Sequence, residues 1–309
     1  MPSGSEARGA ARRGGWPRRH GLARGVLAVA LSLLSACALL QTSADVPSAA
    51  PPAPTAAERR EAARLYRDGL RALNPPRRGA AGDPDGAARL IEAAANLGDP
   101  DAQMMVAAGH LYRPDGGRDA AAALPWLHRA AQQGNKEAQY RLARLLEAGE
   151  GTRREPAWAA VWFQRAAERG HPEAQYALAL MQIVGEGTAR DEAEALARLS
   201  IAERRGVTPA RRYREALQPR VPPAAARAAA ARVGGETAQG PVATVDRPLV
   251  RFVQSGLMVR GGWPGAVDGR DGPATRAALA EFARREGVSP EPPYGPAAID
   301  RLRERLAGG

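Results

Sequence analysis

The chain has 309 residues and a single cysteine, so no internal disulfide can staple its fold. Aromatic side chains are scarce at 5%, with three Phe, five Trp and six Tyr. Cores must then be built mainly from Ala and Leu, which requires helices that approach closely. Ala also has the best helix propensity, so its abundance favours an all-helical chain. Histidine is equally sparse: beyond the N-terminal segment only His110, His128 and His171 remain, without metal-ligand spacing. No nucleophile with a base and no paired carboxylates in a recognisable motif are found. The reading is therefore a non-catalytic protein that needs no cofactor and no metal. A basic stripe interleaved with aromatics is also missing, which excludes nucleic acid as a partner. Long apolar runs are absent too. The longest, Val26 to Leu34, is about half of what a transmembrane helix needs.

The charge that is present is uneven. The net charge is +11, but residues 1–36 carry Arg8, Arg12, Arg13, Arg18, Arg19 and Arg24 against one acid, Glu6. The remainder is mildly basic and suits anionic polymers such as phospholipid or wall polymer. An Arg-rich stretch, a short apolar run and a small-residue zone form the three parts of a secretory signal. The only cysteine, Cys37, follows Leu34-Ser35-Ala36 directly. This string resembles the lipobox of bacterial lipoproteins. The resemblance implies cleavage before Cys37, diacylation of its thiol and anchoring to a membrane by lipid. Residue 38 is Ala and not Asp, which by the same resemblance implies the outer rather than the inner membrane, with the protein facing the periplasm. Residues 1–36 are thus read as a signal peptide. Residues 37–58, rich in Ala, Pro, Ser and Thr, are read as an extended tether.

From residue 59 to 218 the chain repeats. Gly98, Gly134, Gly170 and Gly206 recur every 36 residues, in phase with Ala102-Gln103, Ala138-Gln139 and Ala174-Gln175. Trp126 and Trp162 keep the register, as do Asp119, Glu155 and Asp191. A period of this length marks a solenoid of stacked supersecondary units. Within one unit, Ala138, Leu142 and Leu145 form one helical face. Gly149 and Gly151 then turn the chain, and Ala159, Trp162, Phe163, Ala166 and Ala167 form a second face that Gly170 ends. Each unit is expected to be a helix pair that buries its apolar face only by stacking. The string "AQYRLARLLEAGEGTRREPAWAAVWFQRAAERG" (138–170) resembles Sel1-like repeats, relatives of the tetratricopeptide repeat. That resemblance implies a surface for a protein partner. Arg198 stands where the column calls for Trp, and is read as the start of a solvent-facing cap.

Residues 219–246, again Ala/Pro/Gly-rich, are read as a linker. Three short amphipathic helices then follow in 247–309. Between the first two lies Trp263-Pro264-Gly265-Ala266-Val267-Asp268-Gly269-Arg270-Asp271-Gly272-Pro273-Ala274-Thr275-Arg276. With Ala278, Leu279 and Phe282 this string resembles the signature of the peptidoglycan-binding domain family. Asp271 replaces a usual Phe, and Ala283 a usual Gln. The resemblance implies that the turn grips a wall glycan or stem peptide, with Trp263, Asp268 and Arg270 as the binding candidates. For Asp268 the alternative is a turn residue that bonds its own backbone. For Trp263 it is packing on the bundle, and for Arg270 a solvated charge.

The expected architecture is all-α: an alpha-solenoid of helix-pair repeats followed by a small three-helix peptidoglycan-binding bundle. The expected role is an envelope adaptor with peptidoglycan, the membrane and a periplasmic protein as partners. Two other roles suit the same modules, a scaffold of an exopolysaccharide secretion complex and an accessory activator of a cell-wall hydrolase. Deletion separates the three by altered morphology, lost polymer export or a changed muropeptide profile.

Overall fold

The computed structural model describes residues 54–75, 81–113, 116–234 and 239–307. Cys37, the signal segment and the tether up to residue 53 lie outside the described residues. The described residues hold α-helices and no strand. The repeat region contributes α1 (Ala56–Leu73), α2 (Pro84–Asn96), α3 (Pro100–Leu111), α4 (Ala120–Gln132), α5 (Lys136–Ala148), α6 (Pro156–Glu168), α7 (Pro172–Val184) and α8 (Glu192–Arg204). After it come α9 (Pro209–Leu217), a 3-10 turn (Gln218–Arg220) and α10 (Pro223–Gly234). The C-terminal bundle comprises α11 (Arg247–Val259), α12 (Pro273–Arg285) and α13 (Pro296–Ala307). Helices α1 to α8 form four hairpins, each packed on the next.

The repeat columns have direct physical roles. Asp99, Asn135 and His171, one period apart, are the N-caps of α3, α5 and α7, and each side chain accepts a backbone N–H of the first turn. The glycine column ends the preceding helices: Gly98, Gly134, Gly170 and Gly206 have φ of 96°, 92°, 79° and 95°, conformations that L side chains resist. A buried amide then ties one hairpin to the next. The Nε2 groups of Gln103, Gln139 and Gln175 donate to the carbonyls of Ala95, Ala131 and Ala167 at 3.1, 2.9 and 2.9 Å. Those carbonyls lie in the last turns of α2, α4 and α6, where helices leave acceptors unsatisfied. The Ala-Gln pair is therefore a close-contact residue beside a clamp. The core between hairpins is built from Ala and Leu around Trp162 and Phe163.

One expectation is corrected. Arg198 does not face solvent: its side chain is wholly buried in α8, donating to Glu194 Oε1 (2.6 Å) and Gln175 Oε1 (3.0 Å). A neighbouring carboxylate and the amide clamp give it the partners that a cap would find in water. The stretch 219–246, read as a linker, holds defined structure in its described residues. Its Ala-rich part forms α10, with Pro223 at the first position, and packs on α8 through Ala197, Ala229 and Val233. Its last part lies on the repeats: the Val242 N–H donates to the Gln132 carbonyl (2.8 Å), and Arg169 holds the Gly240 carbonyl (2.9 Å). Composition alone reads as tether, whereas Ala-richness is equally a helix signal.

Candidate functional site

The C-terminal bundle encloses its own core of Leu249, Val253, Leu257, Leu279, Phe282, Ile299 and Leu302. The loop from Gly261 to Gly272 joins α11 to α12 over one end of that core. A buried glutamine on α11 organises it. Gln254 Oε1 accepts the Gly269 N–H (2.8 Å), and its Nε2 donates to Asp268 Oδ1 (3.0 Å). The same Asp268 oxygen accepts the Arg270 N–H at 2.9 Å, an Asx turn. That N–H, with Gln254 added, holds the Asp268 carboxyl below its ordinary range. Gly269 has φ +75° and is buried against α11, where a Cβ would fall 2.5 Å from Arg247 Cγ. Only glycine fits there.

The three candidate binding residues are thereby placed. Asp268 works on its own turn. Trp263 is half-buried against the bundle core, and its Nε1 donates to the Ala266 carbonyl at 3.2 Å. Arg270 projects outward with its side chain 90% exposed, 3.9 Å from Asp268. Of the two departures from the family signature, Asp271 has a local function: it accepts Arg276 Nε (3.0 Å) and the Tyr294 hydroxyl (2.9 Å). Tyr294 is buried with φ +60°, and burial followed by the Asp271 hydrogen bond pushes its hydroxyl pKa up. Ala283 sits in the core beside Phe282. Sequence reading missed Gln254 and Tyr294. A polar residue directly after Val253, on a helix whose apolar face it adjoins, was the available signal for the first.

The bundle also docks on the repeats. Helices α11 and α13 pack on α6. Trp158 meets Phe252 edge-on at 5.3 Å between ring centres, and Val161 joins the bundle core. Three ionic contacts surround this seam. Arg165 clamps both Asp246 oxygens at 2.7 and 3.0 Å. Arg251 clamps both oxygens of Glu194 at 2.8 and 3.1 Å, and Glu194 is also bound to Arg198. Arg303 clamps the buried Glu155 at 2.9 and 3.1 Å. Planar guanidinium forks on carboxylates fix orientation as well as proximity.

The histidines serve the fold. His128 stands edge-on to Trp162 at 5.6 Å, and burial draws its pKa down, as it does for His110. His171 stacks on Tyr140 at 4.5 Å and faces Glu137 Oε2 at 3.0 Å. Among the described residues no three His, Cys, Asp or Glu side chains gather as a metal-binding group. No described helix is long and apolar enough to cross a membrane.

The pattern of Sel1 repeats matches residues 100–135, 136–171 and 172–197. Residues 100–197 are Sel1 repeats. Among solved structures, the chain is similar to a protective antigen of uropathogenic Escherichia coli strains that displays an SLR fold. The identity is 24% over 60% of this chain and 43% of that one, with a TM-score of 0.46. It is also similar to a Sel1 repeat protein of Oxalobacter formigenes, at 22% identity over 59% of this chain and 74% of that one, with a TM-score of 0.44. The chain thus spans less than half the length of the first. No curated protein matches it in sequence. The second and third Sel1 units contain α6 and the first six residues of α8, Glu194 among them, and these helices meet the C-terminal bundle.

The Sel1 register also sets a pH response. The hydrogen bond from His171 draws Glu137 from 4.5 to about 2, against burial and with help from Arg141. A depressed carboxylate contributes stability that is complete above its unfolded value and lost as pH falls through its folded value. The contribution should therefore disappear between about pH 4.5 and about pH 2. Urea unfolding at several pH values should show a shallower acid loss for Glu137→Gln than for the native chain. Parallel curves would contradict the assignment.

Proposed function

We propose that the protein is a non-catalytic envelope adaptor, anchored by lipid at Cys37, that holds peptidoglycan through the turn at Asp268–Arg270 and a protein through its repeats. Sel1 repeats generally mediate protein–protein interaction, which supports the last part. The observation that carries the wall reading is the build of the turn. Gln254 fixes its backbone from within the core, and Arg270 is left projecting from the bundle. A rigid loop offering one guanidinium and backbone groups suits a polymer rich in hydroxyls, amides and carboxylates. So small a site should bind weakly, on the order of micromolar or worse. Anchoring near the wall compensates by raising effective concentration.

The test is co-sedimentation of the full chain, purified in detergent, with peptidoglycan sacculi. The native protein should pellet, and Arg270→Glu, exposed and so without cost to the fold, should pellet much less. Cys37→Ser should pellet equally well but lose fatty-acid labelling and membrane fractionation. Native protein that stays in the supernatant over a range of salt removes the wall reading. Acylation that survives Cys37→Ser removes the anchor.

A further inference from the structure

The final hairpin of the solenoid is open. In the four before it the two helices pack side by side, whereas α10 leaves α9 and lies against α8. The register shows what α9 lacks. One period after the caps Asp99, Asn135 and His171 stands Val207, and Thr208 before α9 gives no side-chain cap. One period after Gln103, Gln139 and Gln175 stands Arg211, which turns to Glu215 on its own helix (2.9 Å). The amide clamp is therefore missing, and α8, α9 and α10 enclose a cavity of about 1060 Å³.

The cavity is two-sided in chemistry. Leu196, Ile201, Val221 and Val233 supply an aliphatic floor, and five arginines line it with no acidic side chain among the described residues. Arg169, Arg205 and Arg214 are partly engaged, with the Gly240 carbonyl, the Gly170 carbonyl and Glu203. Arg204 and Arg227 are exposed and form no ion pair among the described residues.

We propose that this wedge receives a helix of a partner protein whose apolar stripe is flanked by Asp and Glu. The proposal rests on the adaptor reading and names the chemistry of its protein partner. The space lies where the second helix of a hairpin would complete the repeat, over a floor in which Ile201 is half-buried and Leu196, Val221 and Val233 are buried. A helix laid in a groove is read through residues at i, i+3, i+4 and i+7. The surrounding guanidinium groups set the sign of its flanks, because carboxylates there would make charge-assisted pairs with Arg204 and Arg227. Lysine-flanked helices would meet the same arginines and be repelled.

The probe is a fluorescein-labelled helical peptide of roughly five turns, with Leu on one stripe and Glu on both flanks. A twin carries Lys in place of every Glu. Fluorescence anisotropy with the full chain in detergent should show the Glu peptide binding at least about tenfold more tightly than its twin. Arg204→Glu/Arg227→Glu, both on the surface, should reverse that order while leaving thermal unfolding unchanged. Equal binding of the two peptides, no binding of either, or an unaltered preference in the double variant overturns the proposal. Phosphatidylglycerol vesicles that bind the native chain but not the double variant, with the Glu peptide silent, assign the wedge to anionic lipid and overturn it as well. Sacculus pelleting is measured on the same samples. Its loss with peptide binding intact indicts the wall reading alone, and the converse indicts the wedge alone.

Discussion

Replacing Asp246 with alanine is expected to lower the free energy of unfolding by about 3–5 kcal/mol, the range for removing one member of a buried ion pair. Its partner Arg165 has a side chain only 6% exposed. The guanidinium lies over the Trp162 ring at 4.5 Å and donates from Nε and Nη2 to Asp246. With the carboxylate gone, a cation remains in a place that water barely reaches. Asp246 is also the N-cap of α11, accepting the Leu249 N–H at 3.0 Å, and loss of a cap costs about 1 kcal/mol by itself. Urea unfolding of the full chain gives the measurement, and a cycle with Arg165→Met isolates the pair. The double variant should be more stable than the sum of the single losses implies, since no charge is then left alone. A change below about 1 kcal/mol for Asp246→Ala, on the scale of exposed ion pairs, would mean that the bundle does not dock on α6 in solution.

Docking alters what the C-terminal bundle can do. The sequence reads as a binding module joined to the repeats by a linker over 219–246. In the structure the described connecting residues include helix α10 and a segment held on the repeats, and Phe252 is covered by Trp158. The turn at Arg270 therefore sits at a fixed place relative to α6. On the adaptor reading proposed above, a load applied at the turn would pass through the seam into the repeats.

The repeats were legible because their signals are periodic. Gly98, Gly134 and Gly170 need positive φ, and Gln103, Gln139 and Gln175 reach back to a carbonyl eight residues earlier, so each physical need is local and recurs every 36 residues. The three helices of the bundle were legible for the same local reason, from Leu249, Val253 and Leu257 on one face. The seam was not legible. Its ion pairs join residues 57, 81 and 148 positions apart, once each, and a pair that occurs once has no period. Arg198 was misread for another reason: it interrupts the Trp column, and the column does not show that Glu194 on its own helix and Gln175 on α7 pair with it inside the core. Asp268 was legible only as a choice between ligand contact and turn residue, because Gln254, which fixes its turn role, lies on another element.

The same logic gives the second large effect, at Glu194. Its side chain is 3% exposed and, among the described residues, it is the carboxylate that hydrogen-bonds both Arg198 and Arg251. Burial alone would raise its pKa, but the two guanidinium groups outweigh burial and hold it well below the ordinary carboxylate range. Glu194→Ala leaves two cations facing each other across the seam, and Arg198 already has an Nε without a partner. The loss should reach the upper part of about 3–5 kcal/mol. Glu194→Gln retains an acceptor but no charge, and should fall between alanine and the native chain. The pH dependence separates charge from shape. A carboxylate depressed in the folded state contributes in full above its unfolded value, and the contribution declines as pH drops toward the folded value. The native chain should accordingly lose stability below about pH 4.5, the unfolded reference. Both variants should lose less over the same span, so their deficit narrows in acid. A deficit that stays constant down to low pH would show that Glu194 acts by packing, with its charge irrelevant. In that case Arg251→Met should be silent, whereas an ionic seam requires it to destabilise the protein by releasing one of the two clamps on Glu194.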